Sequence, residues 1–172
     1  MENRLELSKQ CIAAFKIALK YHSEQEDKSG MTYFWHPLRV ANNMKGWKLQ
    51  TIAILHDILE DTPETIDTLK KQGVTDKEVL DAIICITKKH GEAYSDYLKR
   101  VKSNKMARLV KLADIDDNMS VERLSHMPIH LCLKMVVKYW IAMRYLRDID
   151  DESVCEKVDF RSVIEKIHST FK

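Results

Sequence analysis

Apolar residues recur along most of this chain with a period close to 3.6, the pattern of helices that each bury one face. Cys11, Ile12, Ala14, Phe15, Ala18 and Leu19 share such a face and predict a helix over Leu5 to Lys20, with a polar loop from Ser23 to Gly30 behind it. Met31 to His36 leads into a second helix through about Lys45; Pro37 suits its first turn, Leu38, Val40, Ala41 and Met44 serve the core, and Gly46 ends it. Leu49 to about Asp61 predicts a third helix. Thr62-Pro63 supplies an N-cap and a first residue for a fourth that ends near Gly73. Asp76 caps a helix carrying Val79, Leu80, Ala82, Ile83, Ile84 and Ile86, which closes near His90-Gly91. Tyr94 to Val101 and Ala107 to about Met119 read as helices, Pro128 opens the apolar helix Ile129 to Leu146, and Ser153 caps a last one reaching Phe171. The expectation is a single all-α domain over residues 1–172, with roughly eight or nine helices and no repeat or linker.

Composition narrows the class of function. Four Gly and three Pro in 172 residues leave too little turn chemistry for a many-stranded sheet. Lys plus Arg number 28 against 26 Asp plus Glu, without a basic block, so no nucleic-acid footprint shows in the charge and any phosphate recognition must be local. The stretch Ile129 to Leu146 is interrupted by Lys134, Lys138 and Arg144, too many charges for a membrane span, and is expected to be a buried core helix. The N-terminus lacks the apolar stretch of a secretory signal, which predicts a cytoplasmic protein. Cys11, Cys85, Cys132 and Cys155 form no Cys-x-x-Cys pair and are expected to be free thiols.

Three places put polar groups where helices should be apolar. In the third helix His56, Asp57, Glu60 and Asp61 sit among Ile52, Ala53, Ile54, Leu55, Ile58 and Leu59. Residues four apart stack, so Glu60 lies over His56 and Asp61 over Asp57, and four titratable groups share a sector. A divalent cation would offset the carboxylates and accept imidazole nitrogen at once. The alternative is a helix end with Glu60 and Asp61 in water and His56 hydrogen-bonded in the core. In Lys111-Leu112-Ala113-Asp114-Ile115-Asp116-Asp117-Asn118-Met119, Asp114 is a candidate oxygen ligand and Asn118, one turn on, a candidate for a ligand hydroxyl or base; a solvated helix end competes with that reading. Tyr33-Phe34-Trp35-His36-Pro37 places His36 at a helix start, as a ligand or as a satisfied core histidine. His126 and His130 have the spacing of zinc ligands on one turn, but Pro128 between them would break that turn.

Taken together, His36, His56-Asp57 and Asp114 resemble the H…HD…D pattern of the HD-domain metal-dependent phosphohydrolases. Gln25 through Gly30, Tyr33, His36-Pro37-Leu38-Arg39-Val40-Ala41, His56-Asp57-Ile58-Leu59-Glu60-Asp61-Thr62, Thr87-Lys88 and Lys111-Leu112-Ala113-Asp114 are similar to the hydrolase domain of RelA/SpoT-type enzymes, from about Ala18 to Arg123. The resemblance implies a helical domain that binds one manganese ion through His36, His56, Asp57 and Asp114 and removes the 3′-pyrophosphate from guanosine tetraphosphate or pentaphosphate. It further implies Glu60 and Asp61 as the catalytic carboxylates, and Lys28, Asn118 and Tyr139 as substrate contacts. His22 resembles a family histidine without an assigned role. At 172 residues a following synthetase domain has no room, which points to the small hydrolase-only forms; a nucleotide is the expected partner, and a homo-oligomer is compatible with the family.

Two departures stand out. Asp27 takes the place of an arginine that stacks on the base, and the family's Asp-Arg-Leu-His-Asn becomes Asp114-Ile115-Asp116-Asp117-Asn118, so the pocket is expected to be more negative. Those acids favour a second reading, an HD phosphohydrolase acting on another nucleotide phosphate ester. A third, a non-catalytic metal-stabilised nucleotide-binding module, is disfavoured by the presence of both Glu60 and Asp61.

Overall fold

The structure is a computed structural model that describes residues 9–27 and 30–149. The expected helix from Ser153, together with Lys28 and Cys155, lies outside them. Among the described residues ten helical segments follow one another: α1 (Lys9–His22), α2 (Trp35–Asn42), α3 (Trp47–Leu55), α4 (Ile58–Asp61), α5 (Ile66–Lys71), α6 (Lys77–Ile86), α7 (Tyr94–Ser103), α8 (Lys105–Asn118), α9 (Val121–Ser125) and α10 (Ile129–Leu146). Among the described residues the only extended pairing is a single bridge between Glu26 and Thr32. The all-α expectation is met.

The centre of the fold is α3, which has no polar face over its second half: Thr51 through Leu55 are all buried. A helix apolar all round must be surrounded, and α3 packs against α1, α2, α6 and α8. Ile17, Val40, Ile52, Leu55, Ile58 and Ile83 form the first core, and Tyr97, Leu98, Val101, Ile115, Ile141 and Leu146 form a second. The helix α8 ties the two together, with Val110 in the first and Ile115 in the second. Each such side chain removed from water contributes about 1.5–3 kcal/mol.

Several expectations are corrected. The predicted Leu49–Asp61 helix is interrupted at His56-Asp57 into α3 and α4. His56 Nδ1 donates to the carbonyl of Ala53 at 2.7 Å, the acceptor that the Asp57 amide would use in an unbroken helix, and this competition opens the turn. The next helix is not capped by Thr62, whose hydroxyl donates to Ile58 O at 2.6 Å and closes α4; Thr65 caps α5 instead, in a reciprocal pair with Thr68. The helix α6 ends at Ile86, short of His90, because Arg100 takes the carbonyls of Ile84, Cys85 and Thr87 at 2.7–2.9 Å. On α1 the buried stripe is Cys11, Ala13, Ala14, Ile17 and Ala18, whose small side chains permit close approach, while Ile12, Phe15 and Leu19 face outward. Only the C-terminal end of α10 is core; Met135, Lys138 and Tyr139 of its earlier turns border a cavity.

Candidate metal centre

The cavity, of about 620 Å³, is lined from α2, α4, α7, α8, α9, α10 and the loop before α2. That loop folds back on itself, with Asp27 N donating to Met31 O (2.8 Å) and Tyr33 N to Gln25 O (2.7 Å). Gly30, at φ +79°, makes the reversal in a region that costs other residues energy. The turn lowers Tyr33 over the cavity floor, where its hydroxyl donates to Asp57 Oδ2 and its ring packs against those of His22 and His36.

On that floor the four residues singled out from sequence converge from α2, the break between α3 and α4, and α8. His36 Nε2 lies 3.3 Å from His56 Nε2, 3.1 Å from Asp114 Oδ1 and 3.9 Å from Asp57 Oδ2. His56 Nε2 lies 3.0 Å from Asp57 Oδ2 and 3.5 Å from Asp114 Oδ1. Both histidines and Asp114 are buried.

What these atoms need follows from where the ring protons go. His36 Nδ1 donates to Asp117 Oδ2 at 2.7 Å and His56 Nδ1 to Ala53 O at 2.7 Å. A neutral imidazole has one ring proton, so both Nε2 atoms present lone pairs toward each other and toward two carboxylate oxygens. Four acceptors at this separation repel unless positive charge lies among them. Burial opposes charge on His56, yet Asp57 and Asp114 outweigh it and raise its pKa well above the ordinary imidazole value; a proton is one answer to the repulsion. A divalent cation is the other, and two imidazole nitrogens with two carboxylate oxygens are a donor set such ions accept. His36, His56 and Asp57 are placed closely enough to hold a metal.

The supporting contacts are equally specific. Asp114 accepts from Lys111 Nζ at 2.7 Å and from Asn118 Nδ2 at 2.6 Å. Burial pushes its pKa up, but Lys111 and the two histidines bring it well below the usual carboxylate range. Asp57 is likewise lowered, its burial outweighed by His56. Glu60 and Asp61 stand on the cavity wall, Glu60 Oε1 accepting from Lys88 N. Both have raised pKa values, first through lost hydration inside the cavity and then through the charge of Asp57. They are placed to hold and pass protons.

Of the remaining expected contacts, Asn118 lines the cavity with its amide nitrogen committed to Asp114, and Tyr139 lines it with burial pushing its pKa up to about 12. Lys28 is outside the described residues. Sequence reasoning missed Tyr33 and Lys111 as neighbours of the centre. Lys111 had a signal, one turn ahead of Asp114, whereas Tyr33 is brought in only by the loop reversal. Of the acids expected to make the cavity more negative, Asp27 lines it, whereas Asp116 and Asp117 do not. Asp116 points outward toward Arg147 (3.6 Å) and Asp117 turns to His36, Arg39 and Arg123. Asp27 is paired with Arg123 at 3.4 Å.

No family model matches the chain. It is 34% identical over 96 residues to the probable guanosine-3′,5′-bis(diphosphate) 3′-pyrophosphohydrolase of Mycoplasma genitalium, covering 53% of this chain and 13% of that protein. It is 32% identical over 116 residues to the guanosine-3′,5′-bis(diphosphate) 3′-pyrophosphohydrolase of Aquifex aeolicus, covering 62% and 17%. A probable GTP pyrophosphokinase of Mycobacterium leprae is 31% identical over 124 residues, covering 64% and 15%. The chain thus spans less than a fifth of the length of these relatives. A solved structure, of a metazoan ortholog of SpoT that hydrolyzes ppGpp and plays a role in starvation responses, superposes with a TM-score of 0.59 at 19% identity, covering 95% of this chain and 96% of that one. Two of these relatives carry the activity of a RelA/SpoT-type hydrolase domain in their names, so the resemblance carried by the motifs is borne out. Among the described residues no helix is long and apolar enough to cross a membrane.

Proposed function

We propose that this chain, alike in sequence and fold to RelA/SpoT-type hydrolase domains, is a manganese-dependent hydrolase that releases pyrophosphate from the 3′ position of guanosine tetraphosphate or pentaphosphate. The observation that carries the proposal is the meeting of His36, His56, Asp57 and Asp114 on the floor of a cavity whose wall holds Glu60 and Asp61. A divalent cation held by those four side chains supplies Lewis-acid charge that lowers the pKa of water and offsets charge at a phosphoryl group.

The reaction asks the chain's own groups for three things. Lys88, Lys111, Arg123 and Lys138 line the cavity and supply positive charge for a phosphorylated ligand. Glu60 or Asp61, ionised, takes a proton from the attacking water as its oxygen joins phosphorus; the bond to the 3′ oxygen breaks and that oxygen receives a proton. Tyr94 and Tyr139, gathered beside Lys138, offer aromatic surface for a sugar or base.

The test is to incubate the chelator-stripped, manganese-reloaded chain with guanosine tetraphosphate and a panel of nucleoside monophosphates, and to resolve products by ion exchange. Pyrophosphate release from the tetraphosphate supports the proposal. Orthophosphate from monophosphates assigns the chain to phosphate monoesters instead, and retained manganese without turnover of any compound leaves a binding module.

A further inference from the structure

Asp117 stands where the resembled enzymes carry a histidine, and in this fold its carboxylate is the most heavily bonded acceptor near the centre. Oδ2 accepts from His36 Nδ1 (2.7 Å), Arg123 Nη1 (3.0 Å) and Arg39 Nη2 (3.1 Å), and Oδ1 accepts from Arg39 Nε (2.7 Å). These donors come from α2 and α9, while Asp117 is carried by α8. The carboxylate is buried and its charge is matched from two sides by guanidinium groups, the fork geometry that fixes a carboxylate most firmly.

An ionised carboxylate only accepts. The His36 ring proton is therefore pinned on Nδ1, and the ring is turned so that Nε2 presents its lone pair beside His56 Nε2 and Asp114 Oδ1. The other donors have neutral or local supports: a backbone carbonyl for His56, a tyrosine hydroxyl for Asp57, an amide and an adjacent-turn lysine for Asp114. His36 alone is held by a charged group across the fold.

We infer that Asp117 is a positioning residue for His36, forming with it a carboxylate–imidazole–cation triad that Arg39 and Arg123 lock in place and that sets the affinity for a divalent ion. The inference rests on the metal centre of the proposed function. A carboxylate behind a ligating imidazole fixes its tautomer and orientation and strengthens it as a donor, and loss of such a partner typically weakens metal binding about 10–100-fold. The departure from the family pattern thereby acquires a function: an acid that would only add negative charge to the pocket is turned behind a ligand.

The experiment measures manganese affinity of the chelator-stripped full chain by competition with a metal-sensitive dye, alongside the electron paramagnetic resonance spectrum of the bound ion. Asp117→Asn keeps the shape and an acceptor oxygen and loses the charge; its Kd is expected to rise about tenfold, with an altered spectrum, and Asp117→Ala nearer a hundredfold. Asp116→Asn, one residue away and facing Arg147, is expected to match wild type. Melting curves without metal establish that each variant is folded at the assay temperature, and should the alanine variant unfold, the asparagine variant decides. Unchanged Kd and spectrum in Asp117→Asn overturn the inference while leaving the metal centre intact. A wild-type chain that binds no manganese removes the centre and the inference together.

Discussion

Replacing Lys111 with methionine tests whether the floor of the cavity is an electrostatic unit. Lys111 Nζ and Asp114 Oδ2 are 2.7 Å apart, with side chains only 13% and 3% exposed, so the pair is effectively desolvated. Removing one partner of such a pair leaves a buried charge and costs about 3–5 kcal/mol. Asp114 keeps the Asn118 Nδ2 donor at 2.6 Å, which places the expected loss near the lower end, about 3 kcal/mol. For a chain of 172 residues that corresponds to a melting temperature lower by about 6–12 °C. A cation present at about 100 times its Kd returns about 2.7 kcal/mol by mass action. In Lys111→Met it also meets an Asp114 with no competing ammonium, so the manganese-induced rise in Tm is expected to exceed that of wild type. Differential scanning fluorimetry of the stripped chain with and without manganese reads both quantities. A metal-free variant melting within about 2 °C of wild type, or an equal manganese increment in both proteins, would refute the argument that Lys111 and the cation share one carboxylate.

Four further outcomes are expected. Glu60→Gln combined with Asp61→Asn should retain bound manganese while hydrolysis falls by at least about a hundredfold, read by metal analysis and product release together; full activity would remove the proton-transfer assignment. Because lost hydration and the charge of Asp57 raise the pKa of both carboxylates, and a base must be ionised, kcat/KM should decline on the acid side from above the ordinary carboxylate range, and a profile flat down to about pH 4.5 would contradict this. The same raised values mean that the folded chain holds these protons longer than the unfolded one, so ionising the pair lowers stability as pH rises through the folded pKa. Arg100→Met should cost about 3 kcal/mol in urea unfolding, since it strips the carbonyls of Ile84, Cys85 and Thr87 and leaves Glu92 without its partner at 2.6 Å.

The elements and the candidate ligands were legible for different reasons. Long helices such as α8 and α10 announce themselves because their periodicity extends over several turns. The metal candidates were legible because a charge inside an apolar helix face, as at His56-Asp57 or Asp114, demands a partner. What stayed hidden was decided by single side chains acting on the backbone or across the fold. The break between α3 and α4 comes from one imidazole reaching back to Ala53, and the end of α6 from Arg100, fourteen positions beyond Ile86. The direction of Asp117 was likewise unreadable: on the helix it is one more acid in an acidic run, and only the packing of α2 and α9 against α8 supplies Arg39 and Arg123 to draw it away from the cavity.

That redirection changes how the cavity meets a phosphorylated ligand. Six acidic side chains line it, Glu26, Asp27, Asp57, Glu60, Asp61 and Asp114, against four basic ones, Lys88, Lys111, Arg123 and Lys138. The described lining is therefore two charges negative, and one divalent cation on the His36–His56–Asp57–Asp114 floor cancels that excess. Had Asp116 and Asp117 also faced inward, as the sequence suggested, the lining would have stayed two charges negative with the ion in place, and a polyanion would be repelled at close range. By pairing Asp117 with Arg39 and Arg123, and Asp27 with Arg123, the fold offsets the two acids by which this chain departs from the resembled pattern on that side of the cavity. Cation loading and admission of a phosphate ester then become the same electrostatic event.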